Sequence, residues 1–376
     1  AQGNQDGNSV GDFYYEPPSG YLALCTSNLS DPSIALPGEN FNTMIWSGDD
    51  ATRSMTGLGF QPDWVWIKQR DGTEQACWYD VLRGVTKFLA PSATTVEGTL
   101  AEGLTSFDSD GWTMGDDTAN NGSGKTYVGW TWKGGGTGVS NTDGTNITST
   151  VSANSTAGFS ICTYSGTGTA GDSFGHGLSQ APELVIVKRR TYASVWITGS
   201  DEYTSWNYYV PLSGSATGGE EDYDFFNDTA PTASIVNLSD AGAINYDNDI
   251  SGNGTYVAYC FHSVEGYSKI GTYVGTSNND GPFIYCGFKP AFLILRAWNS
   301  GQQWGLYDDA RSAYNVMDDI LWPNLTSTES TDAIYAVDFV SNGFKWRGNN
   351  ATMNYTGINY MYYAVAESPF KYANAR

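Results

Sequence analysis

Apolar positions along this chain fall into short period-two runs that recur in a fixed order. One run, Trp64-Val65-Trp66-Ile67-Lys68, follows Pro62 by two residues; it returns as Leu184-Val185-Ile186-Val187-Lys188 after Pro182 and as Phe292-Leu293-Ile294-Leu295-Arg296 after Pro290. A closing run from Tyr127 to Lys133 returns from Tyr256 to His262 and from Tyr360 to Ala366. An opening run, Met44 to Gly48, matches Cys162 to Gly166 and Gly271 to Gly275. Between them lies Ser109-Asp110-Gly111-Trp112, read again at Asp240-Ala241-Gly242 and at Ser341-Asn342-Gly343-Phe344. Four landmarks in one order, at a period of about 110 residues, define tandem repeats.

Within each repeat the alternation predicts strands. In the closing runs Val128, Trp130 and Trp132 share one side, as do Val257, Tyr259 and Phe261, and Met361, Tyr363 and Val365; the opposite side is mostly small. A strand with that pattern is buried on both faces, between an aromatic layer and a close-packed sheet. The expected fold is all-β: three tandem β-sandwich units of jelly-roll or lectin-like type, preceded by an extended arm. The boundaries are 1–40 for the arm, 41–134 for the first unit, 135–157 for a Gly/Ser/Thr/Asn-rich linker, 158–266 for the second unit and 267–376 for the third. With no linker between them, the second and third units are expected to pack as a rigid pair. A short helix or turn is expected at Tyr79-Asp80-Val81-Leu82-Arg83 and at Tyr307-Asp308-Asp309-Ala310-Arg311, at the offset that separates Pro62 from Pro290; the second repeat has Gly199-Ser200-Asp201-Glu202-Tyr203 there.

Composition agrees and narrows the partners. Glycine (45), tyrosine (25) and tryptophan (13) suit a turn-rich β protein. Eighteen basic against forty acidic residues leave a net charge of −22, which repels phosphate backbones and anionic membrane surfaces. Neither nucleic acid nor membrane is expected as a partner, and the first six residues lack the basic and apolar regions of a signal peptide. The five cysteines do not recur at equivalent positions, so no repeated disulfide framework exists; Cys162 and Cys260 read as small buried thiols, with a Cys162–Cys260 bridge as the alternative. The Asn-x-Ser/Thr sequons are the number expected by chance in so Asn/Ser/Thr-rich a chain.

The cassette GF-x-P-D-hydrophobic-W-I-K at Phe60 to Lys68, then Tyr79-Asp80 with Arg83-Gly84, Phe107 to Gly111 and Tyr127 to Trp132, resembles a repeated β-rich domain of unknown function in virion-associated, tail-fibre-like proteins of marine tailed bacteriophages. The arm from Gly11 to Leu29 is similar to the segment that follows a SPRY-like sandwich in such proteins. The second repeat departs from the pattern, with no Phe before Pro182 and no Tyr-Asp-x-x-Arg. The resemblance implies a virion structural protein and carries no catalytic residues.

The residues themselves offer little enzyme chemistry. His176 reads as an exposed turn residue and His262 as a structural strand end, and no Cys-x-x-Cys or G-x-S-x-G accompanies them. The acidic runs, Glu220 to Asp224 and Asp308-Asp309 among them, read as solvated loops. Asp247 and Asp249, followed by Gly252-Asn253-Gly254, are the candidate Ca²⁺ ligands; no other cofactor is expected. The strand-end cations Lys68, Lys188 and Arg296 are expected to meet acidic groups. Trp196, Trp206, Tyr208, Tyr209, Tyr223, Phe225 and Phe226 read as an exposed aromatic cluster on the second unit, with core packing as the alternative, and six of them, Trp206, Tyr208, Tyr209, Tyr223, Phe225 and Phe226, are the candidate ligand-binding residues, at a host-glycan site or a contact between copies. The expectation is therefore a non-enzymatic phage virion protein on the particle surface: a tail fibre or appendage, homo-oligomeric, held by other virion proteins and touching a host-surface glycan or protein. A capsid decoration or filament subunit, and a glycan-cleaving tailspike, stay open as alternatives.

Overall fold

A computed structural model describes residues 3–214, 224–247 and 254–373. With 39% strand and 4% helix the chain is all-β, and its named strand pairs are antiparallel.

Three large sheets share one strand order. In the first repeat it is Phe41–Ser47, Thr126–Trp132, Trp64–Gln69, Cys77–Asp80; in the third it is Ser268–Val274, Asn359–Pro369, Phe288–Ala297, Trp304–Asp308. The second repeat has Phe159–Ser165, Thr255–Phe261, Leu184–Arg189 and Ile197–Ser200 at the centre of a seven-stranded sheet. Registers confirm the equivalences: Trp64 pairs Trp132, Leu184 pairs Phe261 and Phe292 pairs Val365. Pro62 and Pro182 sit two residues before their strands, whereas Pro290 lies inside one, at the β-bulge where a missing N–H is tolerated.

Each large sheet carries a small sheet against one face. Arg53–Thr56, Gly111–Met114 and Leu104–Asp108 cover the first, Ser173–Gly175 with Ile235–Asn237 the second, and Phe283–Tyr285, Gly343–Trp346 and Val337–Val340 the third. This corrects one landmark. Trp112 pairs with Met55, Phe344 with Ile284 and Val236 with Phe174, so the second repeat's counterpart of the Asp-Gly-Trp turn lies at Val236, and Asp240-Ala241-Gly242 belongs to the next loop.

The opposite faces of the three large sheets meet in one core. Trp64, Trp66, Trp130 and Trp132 of the first repeat lie against Phe159, Ile186, Tyr259 and Phe261 of the second and Phe292, Ile294, Tyr363 and Val365 of the third. Ring contacts cross all three junctions: Trp64 stacks on Tyr259 with centroids 4.8 Å apart, Phe261 meets Tyr363 at 5.0 Å, and Phe41 and Trp132 each meet Phe292 at 5.3 Å. Each aromatic buries about 150–250 Å², so this shared layer is the largest apolar term in the fold. The second and third repeats are thus no separate rigid pair, because the first is packed on both.

The stretch read as a linker is structured. Val139–Asn141 and Ser149–Asn154 form two strands beside Phe159–Ser165; the outer one is exposed at Val139 and Ser140, and the inner one buries Ser149, Val151 and Ser152. Ser, Thr and Asn carry no apolar signal, so pairing with a neighbouring strand edge, rather than burial, decides their state. The arm is likewise not extended. The Asp6 carboxylate accepts the N–H groups of Asn8, Val10 and Ala23 at 2.9, 3.0 and 2.7 Å and the Asn28 side-chain amide at 2.6 Å, folding residues 4–28 about one buried charge. The Ala23 N–H first, with Val10, Asn28 and Asn8, outweighs burial and holds this carboxyl down at about 2.

A second repeated device closes each sheet end. The hydroxyls of Tyr127, Tyr256 and Tyr360 donate to the carbonyls of Thr118, Gly242 and Ala351 and accept the N–H groups of Gly122, Tyr246 and Tyr355. Beside them the buried Asn121, Asn245 and Asn354 tie two loops together through their amides.

Because the core is shared, the repeats should unfold together. The buried free thiols Cys77, Cys162, Cys260 and Cys286 report on all three repeats. Pulsed thiol labelling along a denaturant series should expose them at one midpoint, and Trp130→Ala should shift that midpoint for all four by roughly 3–5 kcal/mol; separate midpoints per repeat would contradict the shared core.

Candidate functional site

The ionisable side chains that the structure gathers lie at the junctions between repeats. The Tyr-Asp-x-x-Arg segments are turns in which Asp80 and Arg83, and Asp308 and Arg311, form ion pairs with fully buried side chains. Each pair receives the closing strand of a neighbour: the Tyr259 hydroxyl donates to Asp80 at 2.8 Å, and the Trp130 indole N–H donates to Asp308 at 2.9 Å. Burial alone would lower the Arg83 guanidinium, but Asp80, Tyr259 and Glu97 together hold it raised; Arg311 is held raised against burial by Asp308 and Glu329.

A loop that sequence reasoning missed completes each junction. Leu89-Ala90-Pro91-Ser92-Ala93-Thr94-Thr95-Val96-Glu97 and Leu321-Trp322-Pro323-Asn324-Leu325-Thr326-Ser327-Thr328-Glu329 share Leu, Pro, Thr and Glu at the same spacing, the signal that would have found them. Glu97 takes Arg83 of its own repeat at 3.4 Å and Arg190 of the second through two bonds of 2.8 and 3.0 Å. Glu329 takes Arg311 at 2.7 Å and Arg70 of the first at 2.6 Å. Although burial opposes it, these two arginines hold the Glu329 carboxyl low.

Two of the strand-end cations, Lys68 and Lys188, meet carbonyls, not the acids expected for them. Lys68 Nζ donates to Glu74 O at 2.7 Å and to Thr326 O of the third repeat at 3.1 Å; Lys188 Nζ donates to Ser194 O at 2.7 Å and to Thr94 O of the first at 3.1 Å. Burial pushes both ammonium groups down to about 8.

The junction of the second and third repeats is built differently. Ser200 and Tyr203 stand where the other repeats have Asp and Arg, and Trp298 stands where they have Arg70 and Arg190. Tyr203, Tyr208 and Trp298 cluster there with centroids 5.5–6.4 Å apart, and the Tyr208 hydroxyl donates to Trp298 O at 3.1 Å.

The aromatic residues expected on an exposed surface of the second repeat line this junction and the core. Trp196, Trp206, Tyr208, Phe225 and Phe226 are buried, and Tyr209 is partly buried against Phe225 at 4.7 Å. Their rings pack on Gly199 and on the sheet face, which turns an apparent patch into core. Tyr223 and Asp249 lie outside the described residues. Asp247 is exposed, and among the described residues no three His, Cys, Asp or Glu side chains are gathered as a metal would need. His176 is buried, not exposed: its Nδ1 accepts the Leu178 N–H at 3.2 Å, so Nε2 donates to Thr232 O at 3.0 Å, and burial lowers its pKa.

Two surface features lie outside this framework. The arm presents Tyr14, Tyr15, Tyr21, Leu22 and Leu24 to solvent. In the third repeat an open cleft of about 480 Å³ is lined on one side by Trp322 and Tyr335.

The fold and junctions define an all-β protein whose three repeated sheets close on one aromatic core. The chain belongs to the family described as Domain of unknown function (DUF7483), which matches residues 36–369 and so spans all three repeats as one unit without the arm. No curated protein and no solved structure matches the chain.

Two outcomes follow from the junction chemistry. Asp80→Ser leaves Arg83 buried without its carboxylate and should cost on the order of 3–5 kcal/mol, whereas Asp80→Ser with Arg83→Tyr, the pair found at Ser200 and Tyr203, should recover much of it in denaturant titrations. The pH profile should have two limbs. Lys68 and Lys188 lose protons near pH 8 when folded but near 10.5 when unfolded, so the unfolded chain binds more protons and their contribution to stability rises across that interval; the thiols of Cys77, Cys260 and Cys286, raised above 9.0 by burial, oppose it from about pH 9 upward. Tyr79, Tyr259 and Tyr307 are raised well above 10 by burial, so their contribution is complete below pH 10 and is lost as pH climbs beyond it. Thermal midpoints should therefore rise from about pH 8 and then fall, with the tyrosinate absorbance of the buried rings appearing only as the chain unfolds.

Proposed function

We propose that this protein is a non-enzymatic structural component of a bacteriophage particle, a tail fibre or comparable surface appendage. In this reading its three repeats are β-sandwich units in tandem, locked into one body on the virion surface, and the arm joins that body to other virion proteins. The resemblance of the repeated cassettes to virion-associated phage proteins supports the class. The observation that carries the attachment is the arm: Tyr14, Tyr15, Tyr21, Leu22 and Leu24 are exposed together on a segment organised around Asp6. A pre-ordered segment that holds rings in water suits an interaction site, because ordering cost is already met and apolar area is available to a partner. The body's own large rings are mostly spent on its core, so contact with neighbours falls to the arm.

The test is location. Immunogold labelling and mass spectrometry of purified particles should find the protein on the virion surface. A chain lacking residues 1–28, which leaves the core residue Ile34 and the Asp31–Lys371 ion pair in place, should keep the thermal midpoint of the full chain and fail to enter particles. Absence of the full chain from particles, or equal incorporation of the shortened one, would overturn this reading.

A further inference from the structure

The Leu-x-Pro-x-x-Thr-x-x-Glu loop does the same work in the first and third repeats. Leu89 bridges Trp78 as Leu321 bridges Leu306, the Thr carbonyls take lysines and the Glu carboxylates take arginines. Nothing in that work uses a side chain at the second position. In the first repeat it is Ala90, buried, which offers only its carbonyl to the Trp196 indole at 3.0 Å. In the third repeat it is Trp322, a large ring that no hydrogen bond or ion pair of the junction uses, although part of it packs on the third repeat's core. This indole is only partly buried and meets Tyr335 edge-on, with centroids 5.7 Å apart at 84°. The two rings stand on the cleft of about 480 Å³, whose rim includes Gln303, Ser327, Thr328 and Thr352.

We propose that this cleft is a subsite for a neutral pyranose sugar. A pyranose offers an apolar face of C–H groups that stacks on a ring and a girdle of hydroxyls that both donate and accept. The cleft matches both needs, with aromatic surface beside the Gln303 amide and the hydroxyls of Ser327, Thr328, Ser330 and Thr352, in the size range of small-molecule sites. The charge selects neutral over acidic sugars. Glu329, itself in the lining, is paired with Arg70 and Arg311; the lining carries this carboxylate and no lysine, arginine or histidine to receive an anionic sugar, and the net charge of −22 repels one.

The walls are in place before a ligand arrives. Buried Asn324 accepts the Trp304 N–H at 3.2 Å and donates to Gly214 O at 2.7 Å and to Gln303 Oε1 at 2.6 Å, which fixes the Trp322 loop and turns the Gln303 amide donors outward from that bond. The Tyr335 carbonyl is held by the Tyr307 hydroxyl at 2.8 Å. Rigid walls spare the sugar the cost of ordering them. The proposal rests on the attachment reading for the source of the sugar, a host surface, while binding itself does not depend on it.

Saturation-transfer NMR on the full chain with glucose, galactose, N-acetylglucosamine and their short oligomers should show transfer to at least one, with dissociation constants around the millimolar range, and none to galacturonic acid. Trp322→Ala places there the residue the first repeat already carries, so it should fold and weaken binding by about tenfold or more. Thr328→Arg, at an exposed rim position, blocks the cleft without touching the core and should do the same. No transfer from any neutral sugar, or transfer unchanged in both variants, overturns the proposal. Sugar binding by a protein absent from particles would sink the attachment reading alone; a virion protein that binds no sugar would sink this one alone.

Discussion

Everything in this molecule depends on the closing strand of each repeat having no solvent side. Residues such as Trp130, Tyr259 and Tyr363 face a core common to all three repeats, while Tyr127, Tyr256 and Tyr360 face the small sheet of their own repeat. A two-layered β-repeat on its own would leave the Trp64, Trp66, Trp130 and Trp132 face in water, an apolar area far larger than a soluble surface normally carries. The only surfaces shaped to cover it are the same faces of the other two repeats. The three are complementary without being identical: Trp64, Leu184 and Phe292 hold one position, and Trp132, Phe261 and Val365 another. Bulk from one repeat fills space left by the smaller residues of the others, so the repeats are not interchangeable.

Orientation comes from polar groups that an oily core cannot supply. At two junctions a buried Asp–Arg turn accepts a hydrogen bond from the neighbour's closing strand, a Glu bridges arginines from both repeats, and a lysine clamps a carbonyl across the gap. Such charges add little net stability when fully desolvated, but a mispaired arrangement would leave several of them unpaired. They act as registration marks, and only this cyclic order satisfies them. The third junction replaces them with Tyr203, Tyr208 and Trp298. There the chain passes straight from Phe261 through Tyr267 into the next sheet, so covalent continuity already limits the possible arrangements.

With the body's rings and charges committed to its own assembly, function is left to what the framework does not consume. Two such features stand out by comparison between repeats and with the family match. The arm lies outside residues 36–369 and exposes rings, and Trp322 supplies an indole where its counterpart is Ala90. Internal repetition singles out this indole, because each repeat shows which residues another does without.

The sequence by itself determined the repeat, the strand character and much of the register, because period-two alternation and the prolines are local properties of the chain. Pro62 and Pro182 mark strand entries and Trp130, Tyr259 and Tyr363 are buried equivalents, all legible from spacing. Only the tertiary structure decided where apolar surface that looks exposed is covered. Trp206, Phe225 and Phe226 read as a patch because nothing local shows the sheet face they pack on, and His176 reads as a loop residue because its burial comes from Thr232, distant in sequence. Strand formation at Val139–Asn141 and Ser149–Asn154 is likewise conferred by an edge elsewhere in the fold. The destination of Lys68 and Lys188 was hidden for the same reason. An acid advertises itself in sequence, whereas a backbone carbonyl from another repeat is offered by every residue, and only the three-dimensional path of the chain selects Thr326 and Thr94.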